Sequence, residues 1–289
     1  MCRLFGFRTA TESSVNHSLV EAENALAKQS EYHQDGWGIA YYVGDYPHLI
    51  RSEKQAMEDR LFGDVGMVVS TQIFVAHIRQ ATLVEPHVLN CHPFQFGRWI
   101  FAHNGEVAGF SLDEVKQQVL ANVDPHFKRH IMGQTDSEAI FHVFLSRLAA
   151  RHENIQCEDV VADDAVGALA EAVALVRDAA PDTYTDPDTG EEHTTRLNFM
   201  VTNGNLLVGL RFRRDLFYST YKKSCPDRDT CESFDERQCE REVLFGQVKH
   251  LIVTSEPVSS EVNVWHELAD GECVYVDRDM FIRRVRLLS

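Results

Sequence analysis

The stretch MCRLFG at residues 1–6 decides how the chain is interpreted, because a cysteine directly follows the initiator methionine. Aminopeptidases usually tolerate a side chain as small as that of Cys2 when they remove Met1. Removal would place a thiol and an α-amine with an ordinary pKa of about 7.7 to 8.0 on one residue. Since a free thiol is only a few per cent ionised at neutral pH, the amine would supply the missing proton acceptor. The alternative is a small buried residue in an apolar strand.

Composition narrows the class of protein. The chain has 289 residues, of which 44% are hydrophobic and 25% are charged, as in a globular protein with a sizeable core. Its formal net charge of -16 argues against nucleic acid and anionic membranes as partners, because both require cationic patches. Neither a long apolar run nor a basic leader followed by a hydrophobic segment is present, so we expect a cytoplasmic protein.

The cysteines and histidines do not predict a metal site or any other cofactor. The cysteines are odd in number and irregularly spaced, which indicates reduced thiols: they lie at 2, 91, 157, 225, 231, 239 and 273. The cluster Cys225, Cys231 and Cys239 lacks the close CxxC pair of a zinc site. The histidines at 77, 87, 92 and 103 fit no compact ligand pattern, so we expect hydrogen-bonding imidazoles.

Hydrophobic periodicity predicts strands, then helices, then strands. Predicted strands cover 2–8, 37–43, 73–79, 98–103, a hairpin of 196–202 and 206–212 joined by NGN, 249–254, 272–277 and 280–286. Predicted helices cover 18–29, 112–122, 136–150 and 164–179. Capping boxes at Ser111 with Glu114 and Thr135 with Glu138 open two of these helices. No linker divides the chain, so we expect one domain over 2–289 with a charged, cysteine-containing insertion at about 222–242.

Several polar residues stand where predicted strands or helices end. Arg79 closes an apolar strand, and its guanidinium suits a carboxylate, although an exposed terminal arginine is commoner. Asn104 and Gly105 are either a simple turn or an oxyanion hole built from a side-chain amide and a backbone N–H. Asp136 lies in the first turn of a helix, where it either complements the helix dipole or binds an ammonium group.

Four motifs in this order resemble the class II glutamine amidotransferases, which are N-terminal nucleophile hydrolases. They are Cys2 behind Met1, HIRQAT at 77–82, HNG at 103–105 and QTDSE at 134–138. The segments DGWGIAYY at 35–42, CHPF at 91–94 and TSEP at 254–257 are similar to the stand-alone branch of YafJ-like, EgtC-like and DUG3-like proteins. The resemblance implies an α+β, αββα fold, in which two stacked antiparallel sheets lie between helical layers.

The resemblance also implies a role for each motif residue. Cys2 would be the nucleophile and its amine the general base, with Asn104 and Gly105 as the oxyanion hole. The pocket would bind glutamine or another γ-glutamyl amide through four further positions: Arg79 on the α-carboxylate, Asp136 on the α-ammonium, and Gln80 and Thr82 along the wall. Attack would give a γ-glutamyl thioester that water hydrolyses to glutamate.

Departures from the family pattern leave the substrate open. Leu83 stands where several amidotransferases have histidine, and Asp35 stands where synthase-type members have arginine. Three hypotheses follow: a γ-glutamyl amidohydrolase, a glutaminase subunit that passes ammonia to a separate protein partner, and a catalytically silent γ-glutamyl-binding module. No segment resembles an acceptor-substrate domain.

Overall fold

The computed structural model describes residues 2–80, 87–225, 228–229, 234–243, 245–259 and 262–288. These residues form two seven-stranded sheets, and every pair of neighbouring strands in them is antiparallel. A two-stranded ribbon, β7 (Thr183–Thr185) with β8 (Glu192–Thr194), lies apart from both.

The first sheet takes its strands from both ends of the chain. In spatial order they are β14 (His266–Glu267), β11 (Phe217–Ser219), β13 (His250–Thr254), β1 (Arg3–Ser14), β4 (Ser70–Ile78), β2 (Trp37–Val43) and β3 (Tyr46–Ser52). The N-terminal strand therefore lies in the middle of this sheet.

The second sheet is built mainly from the C-terminal half. In spatial order its strands are β12 (Gly246–Gln247), β16 (Phe281–Arg286), β15 (Glu272–Val276), β10 (Leu207–Leu210), β9 (Arg196–Thr202), β6 (Trp99–Glu106) and β5 (Phe94–Phe96). Its outer face packs against helices α3 (Asp113–Ala121), α4 (Pro125–Lys128), α5 (Asp136–Ala149) and α6 (Ala162–Ala179).

Alternation along the strands produces three apolar layers. In β1, Phe5 faces the outer side of the first sheet, whereas Leu4 points between the sheets. The outer side is covered by a π-helical turn at His17–Glu21, by α1 (Leu26–Gln29) and by α2 (Arg60–Val68). A helical layer thus covers each sheet, which confirms the expected αββα arrangement. Within the described residues, no helix combines the length and apolar character needed to cross a bilayer.

The predicted helix over 18–29 was wrong. The chain turns out of helical conformation at Ala22 and again at Ala25, where ψ is 155° and 154°. The N–H of Asn24 donates to the carbonyl of Val258 at 3.1 Å, a partner from the far end of the chain. This tertiary hydrogen bond replaces one that the helix would have made, so an amphipathic pattern alone was insufficient.

The two predicted capping boxes had different outcomes. The side chain of Thr135 accepts the N–H of Glu138 at 3.2 Å, as expected for an N-cap. The Glu138 carboxylate instead accepts the N–H groups of Met132 and Gly133, so the reciprocal half of the box is absent. Helix α3 follows Leu112, which provides no side-chain cap, so the box at Ser111 was wrong.

The charged segment around 222–242 contains little regular structure in its described parts. An isolated bridge pairs Lys222 with Asn263, and the short helix α7 spans Glu236–Cys239. Cys225 is a half-buried free thiol and Cys239 is buried, whereas Cys231 lies outside the described residues.

Candidate active site

Cys2 lies just before the central strand β1, in the row of side chains that points between the sheets. The backbone of Gln80 contacts its sulfur twice: the N–H donates to Sγ at 3.3 Å, and the carbonyl oxygen lies 3.4 Å from Sγ. Burial raises the pKa of the Cys2 thiol, while the Gln80 N–H and the charges of Arg79 and Arg214 lower it. Since burial is the largest of these effects, the thiol stays protonated without a nearby base.

Ser255 connects the start of β1 to the end of β6. Its Oγ accepts the N–H of Leu4 at 3.0 Å and the side-chain Nδ2 of Asn104 at 2.7 Å, and its own N–H donates to the Leu4 carbonyl at 2.8 Å. A single hydroxyl therefore joins the Asn104 amide to the backbone of Leu4, which follows Cys2 by two residues. Asn104 is fully buried, and its Oδ1 has no partner among the described residues.

Replacing Ser255 with alanine is expected to lower both stability and turnover. Two buried donors, Leu4 N–H and Asn104 Nδ2, would lose their acceptor at a cost of about 1 to 3 kcal/mol in the free energy of unfolding. A displaced Asn104 amide should lower kcat by about 10- to 100-fold. Denaturant unfolding and steady-state glutamate release measure the two effects.

Ser219→Ala is the matched control for that variant, because Ser219 is a fully buried serine of the same sheet whose hydroxyl donates to the carbonyl of Tyr221. It should lose stability but keep its turnover. Equal turnover losses in the two variants would contradict the positioning role of Ser255.

Asn104 and Gly105 lie within β6 rather than in the turn that their residue types could have formed. They pair with Asn198 and Leu197 of β9. A Cβ atom at Gly105 would lie 1.9 Å from the carbonyl oxygen of Arg196, so only glycine fits in this strand. The tertiary pairing overrides the local turn preference and places the Asn104 side chain between the sheets.

Arg79 follows β4 and is buried, unlike the exposed terminal arginine that is commoner at such positions. Its N–H donates to the Gly36 carbonyl at 2.8 Å, and the Asp35 N–H donates to its carbonyl at 3.2 Å. The guanidinium Nη1 also reaches the Asp35 carbonyl at 3.4 Å. Gly36 has φ 122°, a conformation that disfavours other residues. The DGWG turn therefore fixes the backbone of Arg79, the residue directly before the Gln80 N–H that contacts Cys2.

Asp136 starts α5 near the end of β6. Its Oδ2 accepts the N–H of Val107 at 2.7 Å, and its Oδ1 accepts the N–H and the hydroxyl of Ser137 at 2.7 and 3.0 Å. The carboxylate thus accepts hydrogen bonds from the first turn of its own helix and from the residue that follows β6. Oδ1 already accepts two hydrogen bonds, whereas Oδ2 keeps a further lone pair for an ammonium donor.

The remaining wall positions are only partly described. The side chain of Gln80 contacts the imidazole of His33, with Oε1 and Nδ1 3.2 Å apart. Thr82 and Leu83 lie outside the described residues. Sequence analysis missed two groups near Cys2: Ser255, which was visible only within the TSEP motif, and Arg214, which no motif marks.

Three of the four histidines that could have suggested a metal form one buried cluster. The His77 Nε2 lies 3.1 Å from the carbonyl oxygen of His103, the rings of His77 and His92 are 4.2 Å apart, and the His103 Nδ1 lies 2.8 Å from the Ser137 hydroxyl. Burial lowers the pKa of His77 to about 3 and that of His92 well below its ordinary value.

Acid is therefore expected to destabilise the protein before its carboxylates titrate. Burial also lowers the pKa of His250 from 6.5 to about 3. Between these two pH values the unfolded chain therefore binds a proton at this histidine, whereas the folded chain does not. The stabilisation is complete above about pH 6.5 and is lost as pH falls towards 3. At pH 5.5 each such histidine should cost about 1.4 kcal/mol relative to pH 7.5. Urea unfolding at the two pH values measures this difference.

The histidine variants separate this effect from general acid sensitivity. His250→Gln should flatten the pH dependence, whereas substitution of the exposed His126 should not. A free energy of unfolding that is the same at both pH values would contradict the assignment.

Comparison with known proteins shows the family of this chain. Residues 1–181 match the family model for class II glutamine amidotransferases. The chain therefore belongs to this family of enzymes, which confirms the resemblance drawn from its motifs. It is 26% identical to the probable glutamine amidotransferase DUG3 of Saccharomyces cerevisiae, over 92% of this chain and 78% of that protein.

Two further relatives match shorter parts. The chain is 33% identical to the putative glutamine amidotransferase YafJ of Escherichia coli, over 53% of this chain and 57% of YafJ. It is 30% identical to the γ-glutamyl-hercynylcysteine sulfoxide hydrolase of Mycobacterium tuberculosis, over 37% of this chain and 50% of that enzyme. The names of these relatives support the assignment of this chain to the stand-alone branch, and one of the relatives is named as a γ-glutamyl hydrolase.

Solved structures share the fold. A glutamine aminotransferase class-II domain protein from Silicibacter pomeroyi superposes with a TM-score of 0.63 at 23% identity, over 100% of both chains. The glutamine phosphoribosylpyrophosphate amidotransferase of B. subtilis gives 0.60 at 15% identity, over 99% of this chain but 49% of the other. Both therefore share the overall fold of this chain.

Proposed function

We propose that this protein is an amidohydrolase that cleaves the γ-amide of glutamine or of a γ-glutamyl compound through a thioester on Cys2. The observation that carries the proposal is the Ser255 hydroxyl, which joins the strand that follows Cys2 to the amide of Asn104. A nucleophile and an oxyanion donor on different sheets are thereby held at one point. We further propose that residues 2–289 act as one domain, because β1 and β13 of the first sheet come from opposite ends of the chain.

The first half of the reaction forms the thioester. After removal of Met1, the free amine of Cys2 takes the proton from Sγ as the sulfur attacks the γ-carbonyl carbon. The tetrahedral oxyanion accepts hydrogen bonds from Asn104 Nδ2 and the Gly105 N–H. Its collapse breaks the C–N bond, and the leaving ammonia or amine takes the proton from the Cys2 ammonium.

The second half releases glutamate. A water molecule gives a proton to the Cys2 amine and attacks the thioester carbon, and collapse of the second tetrahedral intermediate expels the thiolate, which recovers that proton. Arg79 holds the α-carboxylate and Asp136 the α-ammonium throughout, while Gln80 lines the pocket. The motif resemblance assigns Thr82, which lies outside the described residues, to the same wall. One cation and one anion orient a γ-glutamyl group, because its free end is a zwitterion.

Glutamate release from three kinds of compound tests this proposal. Glutamine and γ-glutamyl dipeptides should both release glutamate, whereas an α-glutamyl dipeptide should not, because its reactive amide lies at the wrong carbon. A chain with a free Cys2 amine that hydrolyses none of them would contradict the proposal and favour a silent binding module. Ammonia production from glutamine alone would favour the glutaminase subunit with an ammonia-accepting partner.

A further inference from the structure

Arg214 lies on the loop that joins β10 to β11, and a buried asparagine fixes this loop beside the oxyanion strand. The Nδ2 of Asn198 donates to the carbonyls of Arg214 and Asp215 at 2.9 and 3.1 Å, and its Oδ1 accepts the N–H of Phe212 at 2.8 Å. Asn198 is fully buried and is the strand partner of Asn104. The position of Arg214 is therefore set by the strand that pairs with the oxyanion donor.

Register across the first sheet places Arg214 at the same end as Cys2. Thr254 of β13 pairs with Phe5 on one side and with Phe217 on the other, so β1 and β11 run in the same direction at matched height. Cys2 and Arg214 each precede their paired phenylalanine by three residues. Since neighbouring strands lie about 4.8 Å apart, two strand spacings of roughly 10 Å separate the lines of β1 and β11.

Arg79 and Arg214 reach Cys2 from opposite sides. In the first sheet β4, which leads to Arg79, lies on one side of β1, whereas β13 and then β11 lie on the other. The positive charge of each guanidinium lowers the pKa of the Cys2 thiol, which agrees with their placement on the two sides of β1. If Arg79 binds the glutamyl end of a substrate, Arg214 faces the group on the other side of the scissile bond.

Among the described residues, Arg214 differs from the neighbouring arginines because its guanidinium forms no ion pair with a carboxylate. Arg213 has φ 60°, and its side chain turns away to Asp182 at 2.8 Å. Arg211 pairs with Asp215 and Glu267, and Arg3 pairs with Glu256. Within the part of the chain that the structure describes, no carboxylate forms an ion pair with the half-buried Arg214. A cation that is partly removed from water and left unpaired is suited to an anionic ligand.

We propose that Arg214 binds a carboxylate on the leaving amine, so that the preferred substrates are γ-glutamyl amino acids or peptides with a free carboxyl group. The inference rests on the proposed function and specifies the substrate class for the same site. Glutamine, whose leaving group is ammonia, leaves Arg214 without a partner. An amino acid or short peptide as leaving group carries the required carboxylate.

Three substrates and three variants test this inference. The substrates are γ-glutamylglycine, γ-glutamylglycinamide and glutamine, and the variants are Arg214→Gln, Arg214→Lys and Arg213→Gln. The wild-type chain should favour the free carboxylate over its amide in kcat/KM by about 10- to 100-fold, mainly through KM. Arg214→Gln should abolish that ratio, and Arg214→Lys should restore part of it.

Arg213→Gln is the matched control, because the adjacent arginine pairs away from the site, and it should keep the wild-type ratio. A wild-type chain without preference for the carboxylate, or an equal loss on all three substrates in Arg214→Gln, would overturn the inference while leaving the proposed function intact. A wild-type chain with a free Cys2 amine that hydrolyses none of the three would overturn both.

Discussion

Replacement of Cys2 by alanine should abolish glutamate release from every γ-glutamyl substrate, with a fall in kcat of more than about 10⁴-fold. The reason is that the proposed mechanism forms its thioester on this one sulfur and has no second nucleophile to replace it. Alanine is also small, so removal of Met1 should be unaffected. Coupled detection of glutamate under saturating substrate measures the loss.

Cys157→Ala is the matched control for the Cys2 variant. Cys157 is a half-buried free thiol that lies outside the site and whose Sγ contacts Asp159. This variant should keep wild-type turnover. Unchanged glutamate release in Cys2→Ala would remove the thiol from the chemistry.

Replacement of Asn104 by alanine should lower kcat by about 10²- to 10³-fold while changing KM much less. In the proposed mechanism Asn104 Nδ2 stabilises charge that develops only in the transition state, so its loss should raise the barrier by about 3 to 4 kcal/mol. The Gly105 N–H remains and should support residual turnover. Steady-state kinetics with glutamine or a γ-glutamyl dipeptide separate kcat from KM.

Asn203→Ala provides the comparison, because Asn203 is also fully buried and follows β9, where its Oδ1 accepts the N–H of Asn205. It should reduce stability without a comparable fall in kcat. If the two asparagine variants lost the same fraction of turnover, the fall would reflect general disruption and not an oxyanion hole.

Much of the fold could be predicted because its strands carry a local signal. The aromatic and β-branched run at Trp37–Val43 forms a strand with the predicted bounds, and α5 begins at the residue its Thr135 cap predicted. The predictions failed where a distant partner decided the conformation. Asn24 leaves the expected helix to bond Val258, and Asn104 joins a strand through its pairing with Asn198.

The residues of the candidate site also fall into two groups, those marked by local sequence and those placed by distant contacts. Cys2, Arg79, Asn104 and Asp136 belong to short motifs, so residue type and order were enough to select them. Ser255 lies 251 residues from its donor Leu4, and only the pairing of β1 with β13 brings them together. Local sequence also gives no reason to prefer Arg214 over Arg213, because the difference arises from the backbone conformation at Arg213 and the carboxylate of Asp182.

The most direct test of the central claim is mass spectrometry of the purified chain, alone and after a brief incubation with a γ-glutamyl substrate quenched in acid. The account predicts an N-terminus at Cys2 with Met1 removed, and a γ-glutamyl adduct on the N-terminal peptide that hydroxylamine releases. Full activity in a chain that still begins with Met1, or an adduct confined to another cysteine, would contradict it.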